Sequence, residues 1–134
     1  MTHHFPVTVY YEDTDMGGIV YHANYLKFIE RARSDWVRKL GVDQNDLREH
    51  GTVFAVHRIE ADFLAPARLD DRLEIRTTPS HATKARVTLN QEVWRGEILV
   101  FKARATLIAM SLQGRPRRLP PELAHFPDMI SGKP

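Results

Sequence analysis

Three carboxylates stand just before a pair of glycines near the start of the chain. The segment EDTDMGGIVYH contains, in this order, Glu12, Asp13, Asp15, Gly17, Gly18 and His22. A positioned carboxylate can act as a nucleophile or as a general base. The two glycines allow a sharp turn and let a ligand approach the backbone without meeting a Cβ. The pattern therefore predicts that one of these carboxylates acts on a ligand bound at the turn.

A helix is predicted directly after this turn. Over residues 23–40 apolar side chains recur every three or four positions and form one stripe: Tyr25, Phe28, Ile29, Ala32, Trp36 and Leu40. Gly41 fits the position that follows a helix, where a positive φ is common. The first amide N–H groups of this helix, near His22, have no partner within the helix and favour negative charge. The helix start therefore predicts an oxyanion site for the carbonyl of a thioester or ester.

Most of the remaining chain is predicted to form strands. Residues 5–11 are rich in strand-forming side chains, whereas residues 42–51 are typical of one short helix. Alternation of apolar and polar residues predicts four further strands, at 55–63, 72–76, 85–93 and 99–107. Turns are predicted at 79–81 and 95–96, and an irregular tail at 113–134. One long helix and about five strands indicate an α+β chain in which the helix packs against an antiparallel sheet.

Length and composition exclude several classes of protein. The 134 residues, 43% hydrophobic and 27% charged, suit a single domain over residues 1–134. No apolar run approaches the ~18 residues of a membrane helix, and a net charge of +2 does not indicate nucleic-acid binding. The absence of cysteine fits a cytoplasmic protein. The seven histidines show no ligand spacing, so we predict no metal and no cofactor.

Three segments carry a family resemblance. The run YYEDTDMGGIVYHANYLKFIERAR resembles the signature of the hotdog-fold acyl-CoA thioesterases, in the 4-hydroxybenzoyl-CoA thioesterase family. It is most similar to the YbgC-like branch, which is associated with the Tol-Pal system. The segments FLAPARLDDRLEI and RPRRLP resemble the same branch. The resemblance implies a hotdog fold and the hydrolysis of an acyl-CoA to a free acid and CoA.

Particular residues are predicted to carry this chemistry. Asp15 matches the aspartate that these thioesterases use, as a nucleophile or a general base; the alternative is an aspartate that accepts N–H bonds within its own turn. His22 is the second predicted catalytic residue, through its backbone N–H or its side chain; the alternative is a polar residue of the first helical turn with no role. The predicted substrate-binding residues are Tyr11, Gly18, Tyr21 and Asn24, with Arg86 and Arg117 at the phosphates of CoA. The structural alternatives are that the two tyrosines are core aromatics, that Asn24 makes a helix-cap contact, and that the arginines belong to a solvated basic surface.

The resemblance also implies an oligomer, because relatives complete each active site with residues from a neighbouring subunit. We expect a homodimer or homotetramer in which Asp15 works beside residues of the other chain, with His57 or Phe63 as candidates. An unpaired strand at the edge of the sheet supports this expectation. Acyl carrier protein and enzymes of phospholipid synthesis are further candidate partners.

Two other functions are compatible with a hotdog fold. One is a dehydratase with a histidine and a glutamate as acid and base, which the position of Asp15 before the helix disfavours. The other is a non-catalytic module that binds acyl-CoA or another protein, which the intact EDTDMGGIVYH segment disfavours. The sequence does not specify the acyl group of the substrate, whether aliphatic or aromatic.

Overall fold

Five antiparallel strands form one sheet in the computed structural model, which describes residues 1–124. The strands are β1 (His3–Thr8), β2 (Val53–Phe63), β3 (Arg72–Ala82), β4 (Arg86–Arg95) and β5 (Ile98–Met110). Their order is β1-β3-β4-β5-β2, so β1 and β2 form the two edges. Pro6 lies within β1 and offers no N–H to a further strand. Residues 125–134, the end of the predicted tail, lie outside the described part.

One long helix, α1 (Asn24–Lys39), packs against this sheet. Two short helices follow, α2 (Gln44–Glu49) and α3 (Pro121–Ala124), and a 3-10 turn at Tyr11–Asp13 precedes α1. The predicted stripe of α1 is buried, except that Leu40 is only partly buried. Burial of one such large apolar side chain contributes about 1.5–3 kcal/mol. The predicted α+β architecture is therefore confirmed.

A buried hydrogen-bond network holds the middle of α1 to the sheet. The amide Nε2 of Gln91, on β4, donates to the carbonyl oxygen of Ile29 at 3.0 Å and to Oγ1 of Thr77 at 3.0 Å. Its Oε1 accepts a hydrogen bond from Nη1 of Arg33 at 3.1 Å. Gln91, Thr77 and Arg33 are all buried. Because buried polar groups are costly when unpaired, this network fixes the rotation of α1 over the sheet.

Four predicted features need correction. The strand predicted at 5–11 ends at Thr8, because the Asp13 carboxylate accepts the Tyr10 N–H at 2.9 Å and draws the chain into a turn. The turn predicted at 79–81 is wrong: these residues belong to β3, where unpaired Ser80 forms a bulge that accommodates the proline. The hairpin loop is 96–97, one position later than predicted. The predicted irregular tail contains α3.

A hydrogen bond between two side chains ties β1 to α1. The Nε2 atom of His3 lies 2.8 Å from Oδ2 of Asp35, and Nζ of Lys39 lies 3.5 Å from the same oxygen. The hydrogen bond with His3 and the charge of Lys39 hold the pKa of Asp35 below its ordinary value. Since only the ionised carboxylate makes these interactions, Asp35 links the stability of the fold to pH.

We expect Asp35→Asn to lower the free energy of unfolding near neutral pH by about 1 kcal/mol. Because the pKa of Asp35 is lower in the folded chain, its contribution is present above the ordinary aspartate pKa of about 3.9 and is lost as the pH falls through the folded value. The variant should therefore lose less stability in acid than the wild type. Urea unfolding at about pH 3, 5 and 7 checks this, with exposed Asp62→Asn as the control. An unchanged pH dependence in Asp35→Asn would contradict the assignment.

Candidate active site

A cleft of about 470 Å³ opens beside the glycine turn. Two loops and the start of α1 form its walls, which consist of Asp15, Ile19, Val20, His22, Tyr25, Phe63, Leu64, Ala65 and Pro66. The backbone N–H of Val20 donates to the carbonyl of Ala67 at 2.8 Å, and Ile19 forms a β-bridge with Arg68. The turn that carries Asp15 is thereby attached to the segment that follows β2.

Asp15 is exposed and has one carboxylate oxygen available to a ligand. Its Oδ1 accepts the backbone N–H of Gly17 at 2.9 Å. Its backbone N–H donates to the carbonyl of Ile19 at 2.9 Å, which fixes the main chain on either side of the turn. The Oδ2 atom accepts no hydrogen bond from residues 1–124. The structural alternative for Asp15, a turn hydrogen bond, is thus present, and it orients the carboxylate while leaving the second oxygen unused.

The two glycines are required for different reasons. A Cβ at Gly17 would lie 3.3 Å from Oδ1 of Asp15, closer than most real contacts, so a side chain there would press on the carboxylate. Gly18 has a φ of +78°, which other residues rarely adopt. The first glycine therefore gives the carboxylate room, and the second makes the turn.

Asp13 holds this loop to the start of α1. It is 5% exposed, and its Oδ1 accepts a hydrogen bond from Nδ2 of Asn24 at 3.0 Å. Its Oδ2 accepts the Tyr10 N–H, and its carbonyl accepts the Tyr21 N–H at 2.9 Å. Asn24 is itself buried and does not line the cleft, although it is a predicted substrate-binding residue. The geometry gives Asp13 and Asn24 a supporting position behind the cleft.

The start of α1 has no side-chain cap. Ala23 occupies the N-cap position and has no side chain that could accept a hydrogen bond from the first turn. The backbone N–H groups of His22 and Ala23 find no acceptor within residues 1–124. Two successive N–H donors at a helix start can stabilise a negatively charged oxygen. His22 lines the same cleft as Asp15, as the sequence predicts for an oxyanion site.

Two aromatic rings, those of Tyr25 and Phe63, form part of the wall of the cleft. The Tyr25 ring stacks on Phe101 at a centroid distance of 4.7 Å, and Phe63 meets His22 edge-on at 6.0 Å. Burial raises the pKa of the Tyr25 hydroxyl, against the opposing charge of Arg95. Tyr25 is therefore a neutral hydrogen-bonding group at ordinary pH.

Phe63, one of the two candidates for a residue supplied by a neighbouring subunit, lines the cleft of the same chain as Asp15. Tyr25, Leu64, Ala65 and Pro66 also line the cleft, although no site role is predicted for them from the sequence. Hydrophobic periodicity identifies the last three only as the end of a strand. The one indication of a role for them is the family resemblance of the FLAPARLDDRLEI segment. A strand end becomes a cleft wall only through the pairing of Ile19 with Arg68, which is a long-range contact.

The other predicted substrate-binding residues lie outside the cleft. Tyr11 is 83% exposed, and the Tyr21 ring packs beside His22 at 4.6 Å. Arg117 lies near Gly51, where a Cβ would be 3.2 Å from its Nη2 atom, and its N–H donates to the carbonyl of Ala109 at 2.9 Å. The eleven residues of β2 separate this end of the sheet from Phe63, a length of about 35 Å. Arg86, at the start of β4, lies at the same distant end.

Within residues 1–124, no group of three histidine or acidic side chains is arranged to hold a metal ion. No helix in the same part of the chain is both long and apolar enough to cross a membrane.

Known proteins are similar to this chain in both sequence and fold. Residues 17–102 match the family model of the thioesterase superfamily. The acyl-CoA thioesterase YbgC of Haemophilus influenzae is 40% identical over 109 residues, which cover 81% of this chain and 80% of the relative. The acyl-CoA thioesterase YbgC of Helicobacter pylori is 52% identical over 87 residues, 64% of this chain and 62% of the relative.

The crystal structure of a probable thioesterase from Bartonella henselae superposes with a TM-score of 0.85. It is 37% identical and covers 90% of this chain and all of that one. A five-stranded antiparallel sheet packed on one long helix is the arrangement that the family resemblance implied. The chain therefore belongs to the thioesterase superfamily, in the YbgC-like branch of the hotdog-fold enzymes.

Proposed function

We propose that this chain hydrolyses acyl-CoA thioesters, with Asp15 and the start of α1 at His22 as its catalytic centre. One observation carries the proposal: Asp15, whose Oδ2 has no partner within residues 1–124, shares a cleft with His22 at the uncapped start of α1, where the N–H groups of His22 and Ala23 have no acceptor in the same part of the chain. Acyl transfer needs these two elements, a base or nucleophile and a site for the oxyanion. Relatives of 40–52% identity named as acyl-CoA thioesterases support it.

Asp15 can act in two ways. As a nucleophile its Oδ2 attacks the thioester carbonyl, the carbon–sulfur bond breaks, and water then hydrolyses the mixed anhydride. As a general base it removes a proton from a water molecule that attacks the same carbon. In both cases the carbonyl oxygen gains negative charge, which the N–H groups of His22 and Ala23 stabilise. The aromatic wall of Tyr25 and Phe63 holds the acyl group, aliphatic or aromatic.

The alternative is a non-catalytic module of the same fold that binds acyl-CoA without cleaving it. A panel of short, long and aromatic acyl-CoAs, followed by thiol-reagent detection of released CoA, separates the two functions. Turnover of any member above the rate in buffer is expected. Binding of acyl-CoA without release of thiol would favour the module.

We expect the active unit to contain at least two chains. Phe63 and Leu64 line the cleft yet are 53% and 50% exposed, and Met16 beside the glycine turn is fully exposed. No strand among the described residues pairs with the outer edge of β2. Such an edge invites pairing with another strand. Sedimentation velocity at assay concentrations should show a dimer or a tetramer, and a fully active monomer would contradict the shared site.

Pairing through β2 would also bring the predicted CoA-binding arginines to the cleft. Two β2 strands related by a two-fold axis in one sheet run antiparallel. The Gly51 end of one strand, with Arg117, then lies beside the Phe63 end of the other. Arg86 lies at the same end as Arg117, and neither forms an ion pair within the described residues. We therefore propose that each cleft receives its phosphate-binding arginines from the other subunit.

Arg117→Glu should raise KM for acyl-CoA about tenfold or more while changing kcat little, because the reversed charge repels the phosphates, which lie at the end of CoA away from the reacting thioester. The control is Arg104→Glu, at an exposed position of β5, away from the β2 edge. An acyl-pantetheine substrate without the nucleotide phosphates should not distinguish Arg117→Glu from the wild type. An unchanged KM for acyl-CoA would remove Arg117 from the site.

Acyl carrier protein and enzymes of phospholipid synthesis remain candidate partners in this proposal, and the cytoplasm remains the proposed location. The same phosphate-binding arginines would suit the phosphopantetheine group that carries acyl chains on a carrier protein.

A further inference from the structure

One wall of the cleft at Asp15 consists of a loop. Leu64, Ala65 and Pro66 form this wall, just after β2 and outside any helix or strand. The N–H groups of Leu64 and Ala65 both donate to the carbonyl of Val100 on β5, at 2.9 and 3.2 Å. Pro66 is different, since proline has no N–H. Its carbonyl is therefore the one backbone group through which a hydrogen bond can hold this residue.

The side chain of Arg95 binds that carbonyl. Arg95 is the last residue of β4, 29 positions after Pro66, and its Nη1 atom donates to the carbonyl oxygen of Pro66. The side chain is 30% exposed and does not line the cleft, so the guanidinium lies behind the wall. A charged donor makes a stronger hydrogen bond than a neutral one. Arg95 thus acts on the cleft through Pro66.

Asp71 holds both the guanidinium and the loop. Its Oδ2 accepts the backbone N–H of Arg68 at 2.8 Å and lies 3.9 Å from Nη1 of Arg95. Its carbonyl accepts the N–H of Val9 at 2.9 Å, which fixes the main chain of Asp71 beside the end of β1. One carboxylate oxygen therefore faces the arginine and, at the same time, the backbone two residues after Pro66.

The turn that places Asp71 has a strained backbone. Asp70 has a φ of +71° and is the only residue other than glycine with a positive φ in residues 1–124. Its N–H donates to the carbonyl of Val9 at 2.9 Å. A residue keeps such a conformation only when the surrounding contacts hold it there. The strain therefore indicates that the position of the Asp71 carboxylate is imposed by the fold.

The same loop reaches α1 through Tyr25, whose ring lines the cleft. Burial raises the pKa of the Tyr25 hydroxyl, and the charge of Arg95 and the backbone of Ala67 oppose this effect. The hydroxyl thus lies close to the residue that follows Pro66. A movement of the loop would therefore change the surroundings of an aromatic ring that also faces the ligand.

We infer that Arg95 is a positioning residue that sets the width of the cleft at Pro66 and thereby the selectivity of the site for the acyl group. The inference rests on the proposed function, which identifies the ligand as acyl-CoA, and deepens it. Without the guanidinium the Pro66 carbonyl loses its donor, and the wall can move outward. Acyl groups that the wall excludes then gain access, while those that fit it lose contacts. Discrimination between acyl groups is the property that depends on Arg95.

Arg95→Met tests the inference, because methionine keeps much of the side-chain stem but has no donor for the carbonyl. Non-hydrolysable thioether analogues of a short, a long and an aromatic acyl-CoA are titrated calorimetrically. The readout is the ratio of the weakest to the tightest dissociation constant. This ratio should fall at least ~fivefold in Arg95→Met, since small differences in fit to a pocket are worth about tenfold or more. A variant that was only less stable would contain less folded protein and leave the ratio unchanged.

Three further variants complete the experiment. Arg95→Lys restores a charged donor and should recover more than half of the lost selectivity. Asp71→Asn can still accept the Arg68 N–H but lacks the charge that faces Arg95, so the ratio should fall less. Because both residues act through one loop, R95M/D71N should be no less selective than Arg95→Met alone. The matched control is Arg72→Ala, an exposed arginine at the start of β3, which should keep the wild-type ratio.

The outcomes separate this inference from the proposed function. A wild-type ratio in folded Arg95→Met or in folded Asp71→Asn overturns the inference, as does an equal loss in Arg72→Ala. A wild type that binds all three analogues equally well also overturns it, because no selectivity then exists for Arg95 to set. A wild type that discriminates between the analogues but releases no thiol from the matching acyl-CoAs would contradict the proposed hydrolysis and leave the role of Arg95 intact.

Discussion

Asp15→Asn is expected to lower kcat at least ~10²-fold while KM and thermal stability change little. The asparagine keeps the shape of the side chain, and its Oδ1 can still accept the Gly17 N–H that orients the turn. What disappears is the charged oxygen, which alone can attack a carbonyl or remove a proton from water. Steady-state release of CoA from the best substrate of the panel measures the effect.

Glu12→Gln is the matched control for this prediction. Glu12 is an exposed carboxylate three positions away, and it does not line the cleft. Loss of its charge should change kcat less than about threefold, since exposed charges are screened by solvent. Equal losses in the two variants would mean that the local negative charge, rather than Asp15 itself, supports turnover. Near wild-type turnover in Asp15→Asn would make Asp15 a structural residue of the turn.

Asp13→Ala is expected to lower the free energy of unfolding by about 3 kcal/mol, because it leaves the buried Asn24 amide and the partly buried Tyr10 N–H without an acceptor. The loop between β1 and α1 should loosen with it, so kcat should fall as well. Urea unfolding and steady-state kinetics on the same preparation measure both effects.

Asp13→Asn separates charge from hydrogen bonding at this position. Its Oδ1 can accept the Tyr10 N–H, and its amide can donate to Asn24 once the Asn24 amide is rotated. Most of the stability and activity should therefore survive. If Asp13→Asn were as damaging as Asp13→Ala, the buried charge would be the important property rather than the two hydrogen bonds.

Local sequence patterns were sufficient to predict the helix and the turn that carry the candidate site. The stripe on α1 and the pair Gly17–Gly18 are short-range signals, and the structure places both where spacing predicted them. The prediction of a turn at Pro79 was wrong because a proline in a strand and a proline in a turn give the same local sequence signal. Only pairing with β4 distinguishes them, and that information lies outside the segment.

In the candidate site, too, short-range features could be predicted from the sequence, whereas features that depend on long-range contacts could not. Asp15 and His22 share a short segment, so sequence spacing could place them at one turn and a helix start. The spacing of Tyr25 is that of the buried stripe and therefore predicts a core residue. Tyr25 is indeed buried, but it also forms part of the cleft wall. The wall at Phe63 depends on contacts between distant segments, which periodicity does not encode.

The proline in β1 bears on how far the sheet can grow. Within residues 1–124 no strand pairs with the outer edge of β2, whereas at the opposite edge Pro6 interrupts the row of donors. Each chain therefore has one sheet edge, that of β2, to which a further strand can be added. Two chains that join through these edges consume both, and the resulting ten-stranded sheet carries a proline-blocked strand at each margin. Joining of this kind would stop after one step, so a strand-edge contact that could otherwise propagate into fibres would yield a finite particle.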